Sequence, residues 1–335
     1  MKIATLQLAP KLGDLQGNIA RANGLLKSNK LVSAEAPPDI LVLPEMALTG
    51  YNFPSLEAVK PYLEPAGDGP SASWARETAK RLQCKVCVGY PEIEKDPQNT
   101  DQINYYNSLL VVDEKGEVIH NYRKSFLYYT DETWAAEGQV ERGFKELAIQ
   151  ERQVATSFGI CMDINPYKFE APFDKWEFAN RVLESKTQLV ILSMAWLTLL
   201  SREELDALKY KPEMDTFNYW LQRFWPLLQK RMKHEVDADG LPKKVVIVFA
   251  NRAGEEPPAD ETKSEARYAG TSAIIAVTQK PTSGSEQDSE SSDDAEFPFD
   301  VRILCWDLLG AAEEGVCVAD TTADPKMVFA IKKSK

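Results

Sequence analysis

The chain has 335 residues, enough for one large α/β domain or two small ones, and its 44% hydrophobic and 10% aromatic content suits a globular protein with a sizeable core. Its net charge of −12 is unevenly spread: residues 281–300 carry seven acids and no base, so the remainder stands near −5. That balance argues against a nucleic acid or an anionic membrane as partner.

The amino terminus enters a strand-like run at once, Ile3-Ala-Thr-Leu-Gln-Leu8, which stops at Pro10 and is too short for a signal-peptide core. Residues 18–36 follow with helical spacing at Ile19, Ala22, Leu26 and Val32, and residues 40–43 form a buried-looking strand ending at Pro44-Glu45. A helix is expected over 71–82, capped by Ser71 or Ser73, with Trp74, Ala75, Ala79 and Leu82 on one side. Strand-like runs then recur at 86–89, 108–113 and 118–122, the last two joined by the hairpin turn Asp113-Glu-Lys-Gly-Glu117. The run 155–160 leads directly into Cys161, and a helix is expected over 175–185. Further strands are expected at 189–194, 245–250 and 272–277. The longest apolar stretch, 189–200, is far short of a membrane span. Strands alternating with helices imply a layered α/β domain.

Two stretches read as additions to a single domain spanning 1–335. Residues 201–236 are helix-forming, dense in residues such as Leu205, Tyr219, Trp220, Phe224 and Trp225, and broken at Pro212 and Pro226. Their apolar side either packs across the body or lines a pocket or partner surface. Residues 282–296, rich in Ser and acids, cannot bury enough to fold and read as a disordered acidic loop.

Five cysteines, an odd number without a secretion signal, read as free thiols of a cytoplasmic protein. Cys84, Cys87, Cys305 and Cys317 suit core packing, because zinc at Cys84-x-x-Cys87 would need two further ligands and the chain has two histidines. No metal or organic cofactor is expected.

Three short segments place reactive groups at strand ends. Cys161 supplies a nucleophile that works at neutral pH. Neither His120, in a hairpin strand, nor His234, in a polar helix end, has a motif around it, so Glu45 is the expected base, its pKa raised by the apolar Leu-Pro-Glu-Met-Ala-Leu setting. Lys124 is expected to favour the thiolate and, with the backbone N–H after Cys161, to stabilise an oxyanion. Together they suit covalent hydrolysis of a carbon–nitrogen bond.

The same residues carry a resemblance. Leu-Pro-Glu45-Met-Ala-Leu-Thr-Gly-Tyr51, Tyr-Arg-Lys124 and Phe-Gly-Ile-Cys161-Met-Asp resemble the Glu–Lys–Cys blocks of the nitrilase (carbon–nitrogen hydrolase) superfamily. Ala-Asn251-Arg-Ala-Gly-Glu255 and Ala-Gly270-Thr-Ser resemble a late segment of it, so the likeness runs from residue 1 to about 277. It implies a four-layer α-β-β-α sandwich. Lys124-Ser-Phe-Leu-Tyr-Tyr-Thr-Asp-Glu132-Thr-Trp134 and Cys161-Met-Asp-Ile-Asn-Pro-Tyr167 are most similar to the fungal branch that deamidates amino-terminal Asn and Gln of proteins, feeding an N-degron route.

That resemblance implies a peptide or protein substrate with a free amino-terminal Asn or Gln, whose α-ammonium needs an acidic partner. Asp163 is the expected partner, with a turn aspartate as the other reading; Glu132 is expected to position the triad or the substrate; Trp134 is either a pocket wall or a core residue. The alternative function is a small-molecule amidase of the same superfamily, acting on ω-amides or N-carbamoyl compounds with the same triad.

Overall fold

Two seven-stranded sheets lie face to face, each with helices on its outer side. The computed structural model describes residues 1–29, 31, 37–95, 103–232, 243–258, 264–281 and 299–330. The expected acidic loop 282–296, His234 and the end of the 201–236 stretch lie outside the described residues.

In chain order, β1 (Lys2–Gln7), α1 (Leu15–Ser28), β2 (Ile40–Val42), α2 (Leu56–Val59), β3 (Glu64–Pro65) and α3 (Pro70–Leu82) lead to the meander β4 (Lys85–Lys95), β5 (Ile103–Val112) and β6 (Val118–Arg123). Next come β7 (Phe144–Ile149), β8 (Arg152–Ile160), α4 (Glu177–Glu184), β9 (Leu189–Met194) and three helices, α5 (Arg202–Leu208), α6 (Met214–Arg223) and α7 (Trp225–Gln229). The rest is β10 (Lys243–Asn251), β11 (Glu255–Glu256), β12 (Ala266–Arg267), β13 (Ala273–Pro281), β14 (Phe299–Leu308), β15 (Gly315–Asp320) and β16 (Met327–Ala330).

One sheet has the order β15-β1-β2-β4-β5-β6, with β3 also on β4; the other runs β16-β14-β13-β10-β9-β8-β7. Val42, Val111 and Tyr122 from the first meet Phe158, Ile191 and Val248 from the second between the sheets. Leu26, Trp74 and Leu82 of α1 and α3 cover the first sheet, while Phe178, Trp220 and Leu227 of α4, α6 and α7 cover the second. This is the α-β-β-α sandwich, with apolar residues on both faces of each central strand as buried sheets require. Cys84, Cys87, Cys305 and Cys317 are buried free thiols. Among the described residues no helix is long and apolar enough to cross a membrane.

Strand direction positions the site. β1, β2 and β4 are parallel, and β6 runs the same way because β5 reverses twice between them. In the second sheet β8, β9 and β10 are parallel. The carboxyl ends of β2, β6, β8 and β9 therefore converge, as when α/β sheets bind ligands at their strand ends. Ser193 Oγ donates to Leu43 O at 2.9 Å across the sheets there.

Helix bounds differ from expectation for local reasons. α1 starts earlier, because Asp14 caps it by accepting from Gly17 N, and it stops at Asn29. α3 is not capped by Ser71 or Ser73: Pro70 takes the first position after Gly69, and Ser71 instead binds buried Glu64 through Oγ (2.7 Å) and N (2.9 Å). The 201–236 stretch breaks where its prolines stand, with Pro212 between α5 and α6 and Pro226 in the first turn of α7.

Trp220 packs α6 onto the second sheet together with Phe217. It is fully buried, stacks on Phe249 with ring centroids 5.0 Å apart, and meets Trp196 edge-on at 5.9 Å. Trp220→Ala is expected to lower unfolding free energy by about 3–5 kcal/mol in urea titrations, and Trp220→Phe by less.

Candidate active site

Glu45 sits where β2 gives out. Pro44 cannot donate to the ladder, so the last strand-like bond is Leu43 N to Cys87 O at 2.9 Å, and the chain turns toward the other sheet. Met46, next in line, holds φ +46°, an uncommon left-handed value for a side-chain-bearing residue. Gly89 of β4 lets this turn approach: a Cβ there would lie 2.7 Å from Met46 N and 2.8 Å from Glu45 Cα. The Glu45 carboxylate is fully buried, with Oε2 accepting from Ala195 N at 2.8 Å.

Lys124 follows β6, pinned through Lys124 N to Asn107 O at 2.8 Å and Gly138 N to Lys124 O at 2.7 Å. Its ammonium, fully buried, lies 2.7 Å from Glu45 Oε1 and 2.5 Å from Asp131 Oδ2. The Asn107 amide bridges the same two carboxylates, donating to Glu45 Oε1 at 2.6 Å and Asp131 Oδ1 at 2.9 Å. Tyr51 Oη (3.2 Å) and Tyr128 N (3.0 Å) complete the shell of Asp131 Oδ2. Tyr51 is held in turn by Glu256, which accepts from Tyr51 N at 3.0 Å and Asn52 N at 2.9 Å and pairs with buried Arg252 at 2.5 Å.

Cys161 ends β8 and opens a single 3-10 turn, Cys161–Ile164, at φ +42°. A strained strand-to-helix turn of this kind presents a nucleophile above a sheet edge. Glu45 and Lys124 are both close enough to govern the ionisation of the thiol, and the Ala195 N–H that binds Glu45 also faces the sulfur.

The electrostatics follow from burial. Burial pushes the Glu45 carboxyl up, Lys124 draws it back and Asp131 raises it again, leaving it at about 7. Burial opposes the Lys124 charge, but Asp131 and Glu45 outweigh it and hold the ammonium above its usual range. Burial also pushes the Cys161 thiol well up, helped by the Glu45 charge and opposed by Lys124. The expected thiolate-favouring effect of Lys124 is thus outweighed, and the sulfur rests as a thiol beside a carboxyl poised near neutrality.

The thiol opens into a cavity of about 500 Å³ walled by Tyr51, Tyr128, Phe169, Trp196, Leu199 and Tyr219 among others. Tyr219, on α6, donates to Asn165 Oδ1 at 2.7 Å, tying the helical stretch to the turn after Cys161. The stretch therefore does both things left open in the sequence: Trp220 packs in the core while Tyr219 borders the cavity.

The structure brings Glu45, Lys124 and Cys161 together, whereas the other three expected residues stand elsewhere. Asp163 is fully buried behind the turn, with Oδ1 accepting from Ser125 N (3.0 Å) and Phe126 N (2.8 Å), and Oδ2 from Ile160 N (2.7 Å) and Tyr122 Oη (2.8 Å). Its acceptors are filled, so it fastens the Cys161 turn and has none left for an ammonium. Glu132 is exposed; Asp131, one residue earlier, is the acid on Lys124, since neighbours in a 3-10 turn point about 120° apart. Trp134 is 6% exposed in a cluster with Met46, Tyr51 and Ala195, supporting two residues of the cavity wall from behind. Asn107 and Asp131 are missing from the sequence-based set. Asp131 stands beside Glu132 in the sequence, but nothing local distinguishes the two acids. Among the described residues no cluster of His, Cys, Asp and Glu could hold a metal ion.

The carbon–nitrogen hydrolase family model matches residues 2–166. A protein N-terminal amidase of Schizosaccharomyces pombe is 34% identical over 334 residues, covering 96% of this chain and 99% of that protein. A solved N-terminal amidase with a Gln-Gly peptide superposes with a TM-score of 0.71 at 24% identity, over 95% of this chain and 96% of that one. Another, with an Asn-Glu peptide, gives 0.72 at 23% identity over 99% of each chain. The two solved structures share the fold.

With Glu45 as base, turnover should rise with pH through about 7, because only the carboxylate can accept a proton. Asn107→Leu removes a hydrogen bond that lowers the Glu45 pKa, so the acid limb should move to higher pH and kcat should fall about tenfold or more, read as ammonia release against pH. Gly89→Ala should displace the Glu45 backbone and lower kcat by about a hundredfold while circular dichroism shows a folded protein.

Proposed function

The chain belongs to the carbon–nitrogen hydrolase family, and from that membership we propose that it deamidates the side chain of an amino-terminal Asn or Gln of a peptide or protein, leaving Asp or Glu and releasing ammonia. The observation that carries this reading is the buried Glu45–Lys124 pair beside a thiol that opens into a peptide-sized cavity. Similarity to the Schizosaccharomyces pombe N-terminal amidase along nearly the whole chain supports the choice of substrate.

In the proposed reaction the Cys161 thiol passes its proton to Glu45 as sulfur attacks the side-chain amide carbon. Charge develops on the carbonyl oxygen, where the Lys124 ammonium and the N–H of Met162 act. Glu45 then delivers the proton to the departing nitrogen, the C–N bond breaks, and ammonia leaves a thioester on Cys161. Glu45 next takes a proton from water as its oxygen attacks the thioester. The C–S bond breaks, the proton returns to sulfur, and the carboxylic acid departs. Asp131 and Asn107 do not react; they keep Lys124 and Glu45 fixed through both halves.

We further assign the chain to the cytoplasm, where five free thiols persist, and its product to an N-degron route. It is read as one catalytic domain carrying 201–236 as a helical insertion that contributes to the substrate cavity.

A panel of peptides varied only at residue one tests the reading: ammonia is expected from Asn- and Gln-initiated members and not from their N-acetylated forms. Free glutamine turned over as well as Gln-initiated peptides would favour the small-molecule amidase instead. Cys161→Ala should lower ammonia release by at least about a thousandfold with the fold intact, and full activity in that variant would remove the covalent mechanism.

A further inference from the structure

The cavity at Cys161 is bordered by two carboxylates, Glu213 and Asp215, and among the described residues by no lysine, arginine or histidine. Asp215 is exposed, whereas Glu213 is only 8% exposed and is set rigidly just before α6. Its backbone N donates to Thr271 Oγ1 at 2.9 Å, and its Oε1 accepts from Thr216 Oγ1 at 2.9 Å. Its other oxygen, Oε2, is buried and has no partner in hydrogen-bond geometry, although the Thr198 hydroxyl lies near enough to act on the carboxylate. A buried carboxylate oxygen without a donor is unfavourable unless something arrives to fill it.

We propose that Glu213 Oε2 receives the α-ammonium of the substrate's first residue. This rests on the deamidation reading above and names the group that would restrict it to chain termini. An ammonium brings three donors and a full positive charge to a cavity whose described lining holds no cationic side chain. The α-nitrogen of an internal Asn or Gln is a neutral amide, so binding it would leave the buried charge uncompensated. Burial raises the Glu213 pKa while the Thr198 and Thr216 hydroxyls lower it, and an approaching cation favours the ionised form. The role first expected of Asp163 thereby passes to an acid 52 residues beyond Cys161 that shares a cavity with it.

The test compares a Gln-initiated dipeptide with its glutaramoyl analogue, identical except that the α-amine is missing. Wild-type protein is expected to prefer the free amine. Glu213→Gln should raise KM for the free-amine peptide roughly tenfold to a hundredfold, leave kcat far less affected, and leave the glutaramoyl analogue unchanged. Glu213→Asp should recover part of the preference. Thermal melting checks folding; if Glu213→Gln does not fold, Thr216→Val, which frees the carboxylate from its orienting hydroxyl, should raise KM for the free-amine peptide alone. Preference retained in Glu213→Gln, or lost only in Asp215→Asn, would overturn the assignment while terminal deamidation stands. Wild-type protein inactive on every Asn- or Gln-initiated peptide but active on free ω-amides would instead overturn the function, and the role of Glu213 with it.

Discussion

A lysine ammonium fully removed from water between two carboxylates organises this protein. Lys124 contacts Glu45 and Asp131, with the Asn107 amide tied to the same two acids. Burying an ion costs several kcal/mol, and removing one partner of such a pair commonly costs about 3–5 kcal/mol because the survivor stays buried. The arrangement is better suited to holding groups still than to adding stability. Burial raises the Glu45 carboxyl, and one cation shared with Asp131 offsets it only in part, so the carboxyl stands at about 7. A carboxylate tuned to neutrality can both take and return a proton, which a solvated glutamate does poorly.

The two sheets divide the work. The first brings Glu45 and Lys124 from the ends of β2 and β6 and Asn107 from within β5, while the second brings Cys161 and the Ala195 N–H. The two sets meet only because apolar residues on both inner faces pack the sheets together. Asp163 binds N–H groups on both sides of this seam, at Ser125, Phe126 and Ile160, so the turn carrying the sulfur is fastened to the segment following Lys124. Glu256 does the same for the Tyr51 loop with help from Arg252. Buried networks of this kind set geometry because each member is costly to leave unpaired.

Part of the cavity wall comes from a different stretch of the chain than Glu45, Lys124 and Cys161. The strand ends hold Glu45, Lys124 and Cys161, and the helical stretch after β9 adds Glu213, Thr216 and Tyr219 to the wall. A change of pocket chemistry could therefore arise in α6 without disturbing Lys124 and its acids, in keeping with function residing in sites carried by a shared fold.

The sequence by itself marked nine of the strands, the hairpin at 113–117 and the placing of Glu45, Lys124 and Cys161 at strand ends, because these are local: an apolar run followed by Pro, Gly or a polar residue is legible wherever it falls, whereas β7 and β14, with charged residues interleaved, and β15 and β16 were not marked. It also marked α4 and the proline breaks between α5, α6 and α7. What it could not contain was facing. Asp131 and Glu132 are interchangeable as letters, yet one meets Lys124 and the other meets water, according to the rotation of a single turn. Asp163 looked available beside Cys161, but its four donors come from Tyr122, Ser125, Phe126 and Ile160. Glu213 had no chemical neighbour in sequence to mark it. Only the tertiary structure decided which carboxylates are satisfied and which oxygen is left open, because hydrogen-bond satisfaction depends on groups far apart along the chain and only a few ångströms apart in space.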